Sequence, residues 1–175
     1  MILSESLTDT YIVYLIVKKL LKPWKEWDAY KLGIIDENGN KIKKPKTPEE
    51  KKAWTILDRL IWKVKRLLEK FVGKNKLIQY FAIAYLLKED FKVIARANSK
   101  YLQLLEETIK NENPQVILYS YKLLKEIEPI LKEKVRPVYD INEGEFLAVL
   151  TEIDTIEDLF EENEYLKMLE KESFR

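Results

Sequence analysis

The sequence predicts a mainly α-helical protein: a helical bundle of about seven to eight helices with one short β-hairpin near residues 34–43. Three observations carry this expectation. Apolar residues recur at spacings of three and four along most of the chain, which is the spacing of one helix face. Helix punctuation is dense, with capping patterns at Thr47/Glu50, Asn142/Glu145 and Thr155/Asp158 and stops at Pro23, Gly33 and Gly73. Finally, one Asn38-Gly39 pair lies between apolar residues, a signature of a two-residue hairpin turn.

Thr8 or Ser6 is suited to cap a first helix through about Leu21, with Leu7, Tyr11, Tyr14, Leu15, Lys18 and Leu21 near one face. Pro23 stops it and opens a second helix from Trp24 to Leu32, where Gly33 supplies a left-handed C-terminal residue. Ile34, Ile35 and Ile42 flank the hairpin turn and are expected to dock on helices, because a lone hairpin is marginal in water. Thr47, Pro48 and Glu50 then start a third helix that reads as continuous to about Lys70, with Ala53, Leu57, Leu60, Val64, Leu67 and Phe71 on its apolar seam. A fourth helix, about Asn75 to Glu89, is apolar on nearly every side and reads as the central core helix. A fifth follows from about Phe91 to Lys110. Pro114 opens a sixth through about Lys134, with a kink or break expected at Pro129. Arg136 to Asp140 is a connector, and a last acidic helix runs from Thr155 to about Glu170.

At 175 residues the chain fits a single helical domain spanning 1–175, and the best candidate for a sub-boundary is near 89–91. Hydrophobic residues make up 46%, enough to bury a core. Charged residues make up 35%, dominated by Lys and Glu, a bias that fits a thermophilic host and equally a lineage of that composition. There is no Cys and no His, which excludes disulfides, zinc thiolate sites, thiol nucleophiles and the usual general base near neutral pH. No metal or cofactor is expected: the adjacent pairs Glu49-Glu50, Glu106-Glu107 and Glu161-Glu162 do not face each other on a helix, and Asp36 to Asn40 lacks the ligand spacing of a calcium loop. The run Tyr11 to Val17 is too short to span a bilayer, and the N-terminus lacks the pattern of a signal peptide.

The net charge of +1 hides an asymmetry. Residues 1–76 carry 18 basic and 10 acidic side chains, residues 77–151 carry 10 and 11, and residues 152–175 carry 3 and 9. Such a chain suits an anionic partner at its front or contact between copies. Arg59, Lys63, Arg66 and Lys70 step by four, three and four, forming a basic stripe on the third helix with Trp54 and Trp62 interleaved. The bland alternative is a solvated flank whose Lys and Arg stems cover apolar surface. Trp24, Trp27, Tyr30 and Trp54 form the candidate protein interface: of four tryptophans within two helices and a hairpin some must be core, but four are enough to leave one or two at a contact surface.

The run WDAYKLGIIDENGNKIKKPKTPEEKKAW, followed by DRLIWKVKRLLEK and YFAIAYLLKED, resembles small, generally uncharacterised proteins of tailed bacteriophages, some of which look like virion or head-assembly components. The resemblance covers about residues 8–90, with Phe71-Val-Gly73 where a Pro-Gly-Gly type of turn is expected. It implies a viral origin and a structural role, in the virion or the host cytoplasm, and brings no active-site residues. The expectation is therefore a non-enzymatic phage structural or assembly protein acting through protein–protein contacts, with other virion proteins or further copies of itself as partners. The alternative is a nucleic-acid-binding accessory protein that uses the basic stripe. A carboxylate-dependent hydrolase ranks below both, because nothing supplies a nucleophile and a base at related spacing.

Overall fold

The computed structural model describes residues 5–70, 76–134 and 163–173. Among them are eight α-helices: α1 (Glu5–Leu21), α2 (Asp28–Lys31), α3 (Pro48–Ala53), α4 (Ile56–Leu68), α5 (Lys76–Ala97), α6 (Ser99–Asn111), α7 (Pro114–Lys134) and α8 (Glu164–Ser173). A 3-10 turn, Trp24–Glu26, precedes α2. The mainly helical class is as the periodicity predicts. The expected features at Phe71, Gly73, Asn75 and 135–162 lie outside the described residues.

The chain divides into two compact units, one of Met1–Val17 with Gly73–Arg175 and one of Lys18–Val72. In the first unit α5 is the core helix, as its composition predicts: every residue from Leu77 to Leu87 is buried. The middle of α1 is nearly as deep, with Tyr11, Ile12, Val13, Tyr14, Ile16 and Val17 all buried, so its apolar surface there is not one face but most of the circumference. Tyr11 donates to the Thr108 carbonyl on α6 at 3.4 Å, and burial followed by the charge of Glu112 pushes its pKa up. Asp9 pairs with Lys92 of α5 at 2.8 Å; burial opposes the charge on Lys92, but Asp9 and then Glu89 outweigh it and raise its pKa. Along α7, Leu123, Leu124, Ile127 and Leu131 are buried, and α8 packs against this helix with Leu166 and Leu169 buried.

In the second unit the expected helix from Trp24 to Leu32 is a 3-10 turn and the short α2, separated by extended Trp27. Two helix boundaries of the first unit also differ from those the sequence predicts. Helix α5 runs without interruption through 89–91, and the break falls at Asn98, because Glu89-Asp90 does not stop a helix whereas Asn98-Ser99 favours a cap. Helix α7 continues past Pro129 to Lys134, so of the kink or break expected near Glu128 the break does not occur. Its apolar face carries the helix across the missing N–H.

In the second unit the third helix is two helices. Trp54-Thr55 separates α3 from α4, and each has its own capping box. At α3, Thr47 Oγ1 accepts from the Glu50 N–H at 3.1 Å and Glu50 accepts from the Thr47 N–H at 3.3 Å. At α4, Thr55 and Asp58 make the same exchange, with Asp58 Oδ2 accepting from the Thr55 N–H at 2.8 Å. The restart rotates the buried seam of α4 to Leu57, Ile61, Val64 and Leu68, leaving the expected Leu60 and Leu67 half-buried.

The hairpin is also corrected. Among the described residues there is no strand, only one antiparallel bridge between Ile35 and Lys41. Asn38 does not adopt positive φ; Gly39 alone in the loop does, at +80°. The Asp36 side chain decides this: its Oδ1 accepts from the N–H of Asn38 at 2.8 Å and of Asn40 at 2.9 Å, which holds a three-residue loop with a single left-handed glycine. Ile34 and Ile35 are buried as expected, but Ile42 is 61% exposed and does not dock.

Candidate nucleic-acid interface

The candidate site is built by α4 and the Asp36–Asn40 loop of the second unit. Gly39 brings the two together. A side chain at Gly39 would place its Cβ 2.5 Å from Trp24 Cε2, so only glycine lets the loop lie on that indole. From there the Gly39 carbonyl accepts from Trp62 Nε1 at 2.6 Å, and Asn40 Oδ1 accepts from Arg66 Nη2 at 3.1 Å. Arg66 lies over the Trp62 ring, 5.3 Å from its centre, and the edge of Trp54 meets the same indole with ring centres 5.5 Å apart. A pocket of about 440 Å³ opens here, lined by Asn38, Trp62, Lys63, Arg66, Leu67, Glu69 and Lys70.

All four residues of the expected basic stripe, Arg59, Lys63, Arg66 and Lys70, are exposed, and three of them line this pocket. Among the described residues none is in an ion pair. Two carboxylates of the unit, Asp58 and Glu50, are engaged elsewhere. Asp58 caps α4 and pairs with Lys19; Glu50 caps α3 and pairs with Lys43 at 2.8 Å. The Lys43 hydrogen bond, then the backbone N–H groups of Lys46 and Thr47, pull Glu50 down to a pKa of about 2. Asp36 is likewise lowered, chiefly by the N–H of Asn40. Lys65, on the opposite side of α4, is buried; it donates to the Leu20 carbonyl at 2.8 Å and lies over Trp24.

The expected tryptophan contact group fares differently. Trp24, Trp27 and Trp54 are all buried, and only Tyr30 is partly exposed. Trp24 packs on Trp27 with ring centres 4.9 Å apart, and Trp27 donates to the Lys22 carbonyl at 3.2 Å. Burial places these three tryptophans in the core of the unit, together with Ile34, Ile35, Leu57 and Ile61, where each indole adds a large apolar area. Sequence reasoning missed Asn38 and Asn40 as walls of the site. The signal was present in Asp36, whose spacing to both asparagines marks a side-chain-pinned turn.

Among the described residues no group of three or more acidic side chains is placed to hold a metal ion, and no helix is long and apolar enough to cross a membrane. Comparison with family models, curated proteins and solved structures finds no match.

Proposed function

We propose that residues 18–72 form a nucleic-acid-binding unit, in which Arg59, Lys63, Arg66 and Lys70 follow a phosphate backbone along α4. The observation that carries this reading is the exposed stripe itself, none of whose four residues is in an ion pair among the described residues. Residues 18–72 hold 16 basic and 8 acidic side chains, a net +8, and the structural acids are spent on caps and on Lys19 and Lys43. The result is a positive field that attracts a polyanion at long range. In the test, a fluorescent oligonucleotide is titrated with the full chain at low salt. Binding is expected, and its loss is expected when all four stripe residues are replaced by Gln. No binding by the parent chain, or undiminished binding by the variant, overturns the proposal.

The protein–protein role implied by the phage resemblance is a second proposal, and one observation favours it. Ile42 and Ile56 of this unit are 61% and 60% exposed, which supplies apolar contact area where the buried tryptophans do not. Light scattering tests it: self-assembly that is lost on replacing both by Ser supports this role, and a monomer at all concentrations removes the homo-oligomeric form of it.

A further inference from the structure

The pocket at the centre of the stripe has a shape that a row of cations does not need. We infer that it seats one unstacked nucleotide of a single strand, the base resting on the guanidinium plane of Arg66 and the flanking phosphates meeting Lys63 and Lys70. The inference rests on the nucleic-acid reading above and narrows it to single strands.

Four features carry it. The guanidinium is a prepared platform, because Trp62 supports it from one side and Asn40 Oδ1 holds Nη2 at 3.1 Å. Trp62 is itself fixed by the Gly39 carbonyl at 2.6 Å and by the edge of Trp54. Since Arg66 is exposed, the face turned from the indole is open to a ligand, and Arg planes stack bases as aromatic rings do. Next, the pocket volume of about 440 Å³ lies within the range of small-ligand sites, sufficient for one nucleotide and too small for a duplex.

The remaining two features are electrostatic. Lys63 and Lys70 stand three residues before and four after Arg66, so all three share one helix face with the platform in the middle. Glu69 also lines the pocket, and its carboxylate repels a phosphate that enters. That arrangement favours a neutral base inside with phosphates held outside by the two lysines. A duplex keeps its bases stacked and offers none to the platform.

The experiment measures anisotropy of labelled oligothymidylate, oligouridylate and a duplex of equal length, with the full chain and with Arg66→Lys and Lys63→Gln. Arg66→Lys keeps the charge and removes the plane. It is expected to weaken single-strand binding about fivefold or more, the size of one lost base stack, while the salt slope stays unchanged. Lys63→Gln leaves the platform intact and is expected to lower the salt slope by about 0.7. The two single strands separate a DNA from an RNA partner, and tighter binding of either one than of the duplex supports the inference. An Arg66→Lys chain that binds as the parent does, or equal affinity for duplex and single strands, overturns the inference and leaves the backbone reading standing. No binding of any oligonucleotide overturns both.

Discussion

At the scale of single residues, Gly39 and Glu50 hold the second unit in shape. Gly39 combines a φ of +80° with a backbone laid against Trp24, so a side chain there meets both torsional strain and a clash. Gly39→Val is expected to destabilise the unit by roughly 1–3 kcal/mol. All four tryptophans lie between Lys18 and Val72, so tryptophan fluorescence, excited beyond the tyrosine band, reports on this unit, and an unchanged fluorescence melt would show that the loop does not bear on its stability. Glu50 gives a pH signature. Its folded pKa of about 2 is below that of a free carboxylate, so its contribution is complete above the ordinary Glu range and is lost as pH falls through the folded value. The melting difference between the parent and Glu50→Gln is therefore expected to be largest at neutral pH and to shrink toward pH 2; a difference that does not change with pH contradicts the assignment.

At the scale of elements, the break at Trp54-Thr55 does the most to place the site. A single helix from Pro48 to Leu68 would keep the register of α3, and the buried seam would include Leu60 and Leu67. The Thr55/Asp58 box instead restarts the helix, and Lys19 pairs with Asp58 at that start. Asp58→Ala removes a cap and strands a lysine, a loss expected at about 2 kcal/mol in a fluorescence-detected denaturant titration. A loss no larger than that of a surface substitution would show that α4 does not depend on this cap. Much of the element pattern was legible in the sequence, including α1 with its stop at Pro23, the cap at Thr47, the core character of α5 and the start of α7 at Pro114. The Thr55 restart was hidden because apolar spacing continues across it, and periodicity read without the cap joins the two helices. The loop was misread because Asn38-Gly39 carries a strong local preference that the Asp36 carboxylate overrides. The basic stripe was legible because its four residues need only helical spacing to align. The buried state of Trp24, Trp27 and Trp54 was not, since side-chain burial depends on partners distant in sequence.

At the scale of the whole molecule, the charge asymmetry follows the division into units. Residues 18–72 carry a net +8, and the rest of the chain, with 15 basic and 22 acidic side chains, carries −7. A self-repelling positive unit is a cost to folding that an anionic partner relieves. Added nucleic acid is therefore expected to raise the fluorescence-detected melting temperature, more at low salt than at high salt; a melting temperature indifferent to nucleic acid would count against this coupling. The claim that the stripe meets phosphates is tested most directly by the salt dependence of single-strand affinity in the full chain and in the variant with Gln at Arg59, Lys63, Arg66 and Lys70. Each phosphate contact contributes about 0.7 to the slope of log K against log salt, so loss of the four cations is expected to flatten the slope by about 2 where Arg66 stacks a base and by about 3 where it meets a phosphate. Equal slopes in the two proteins would contradict the account.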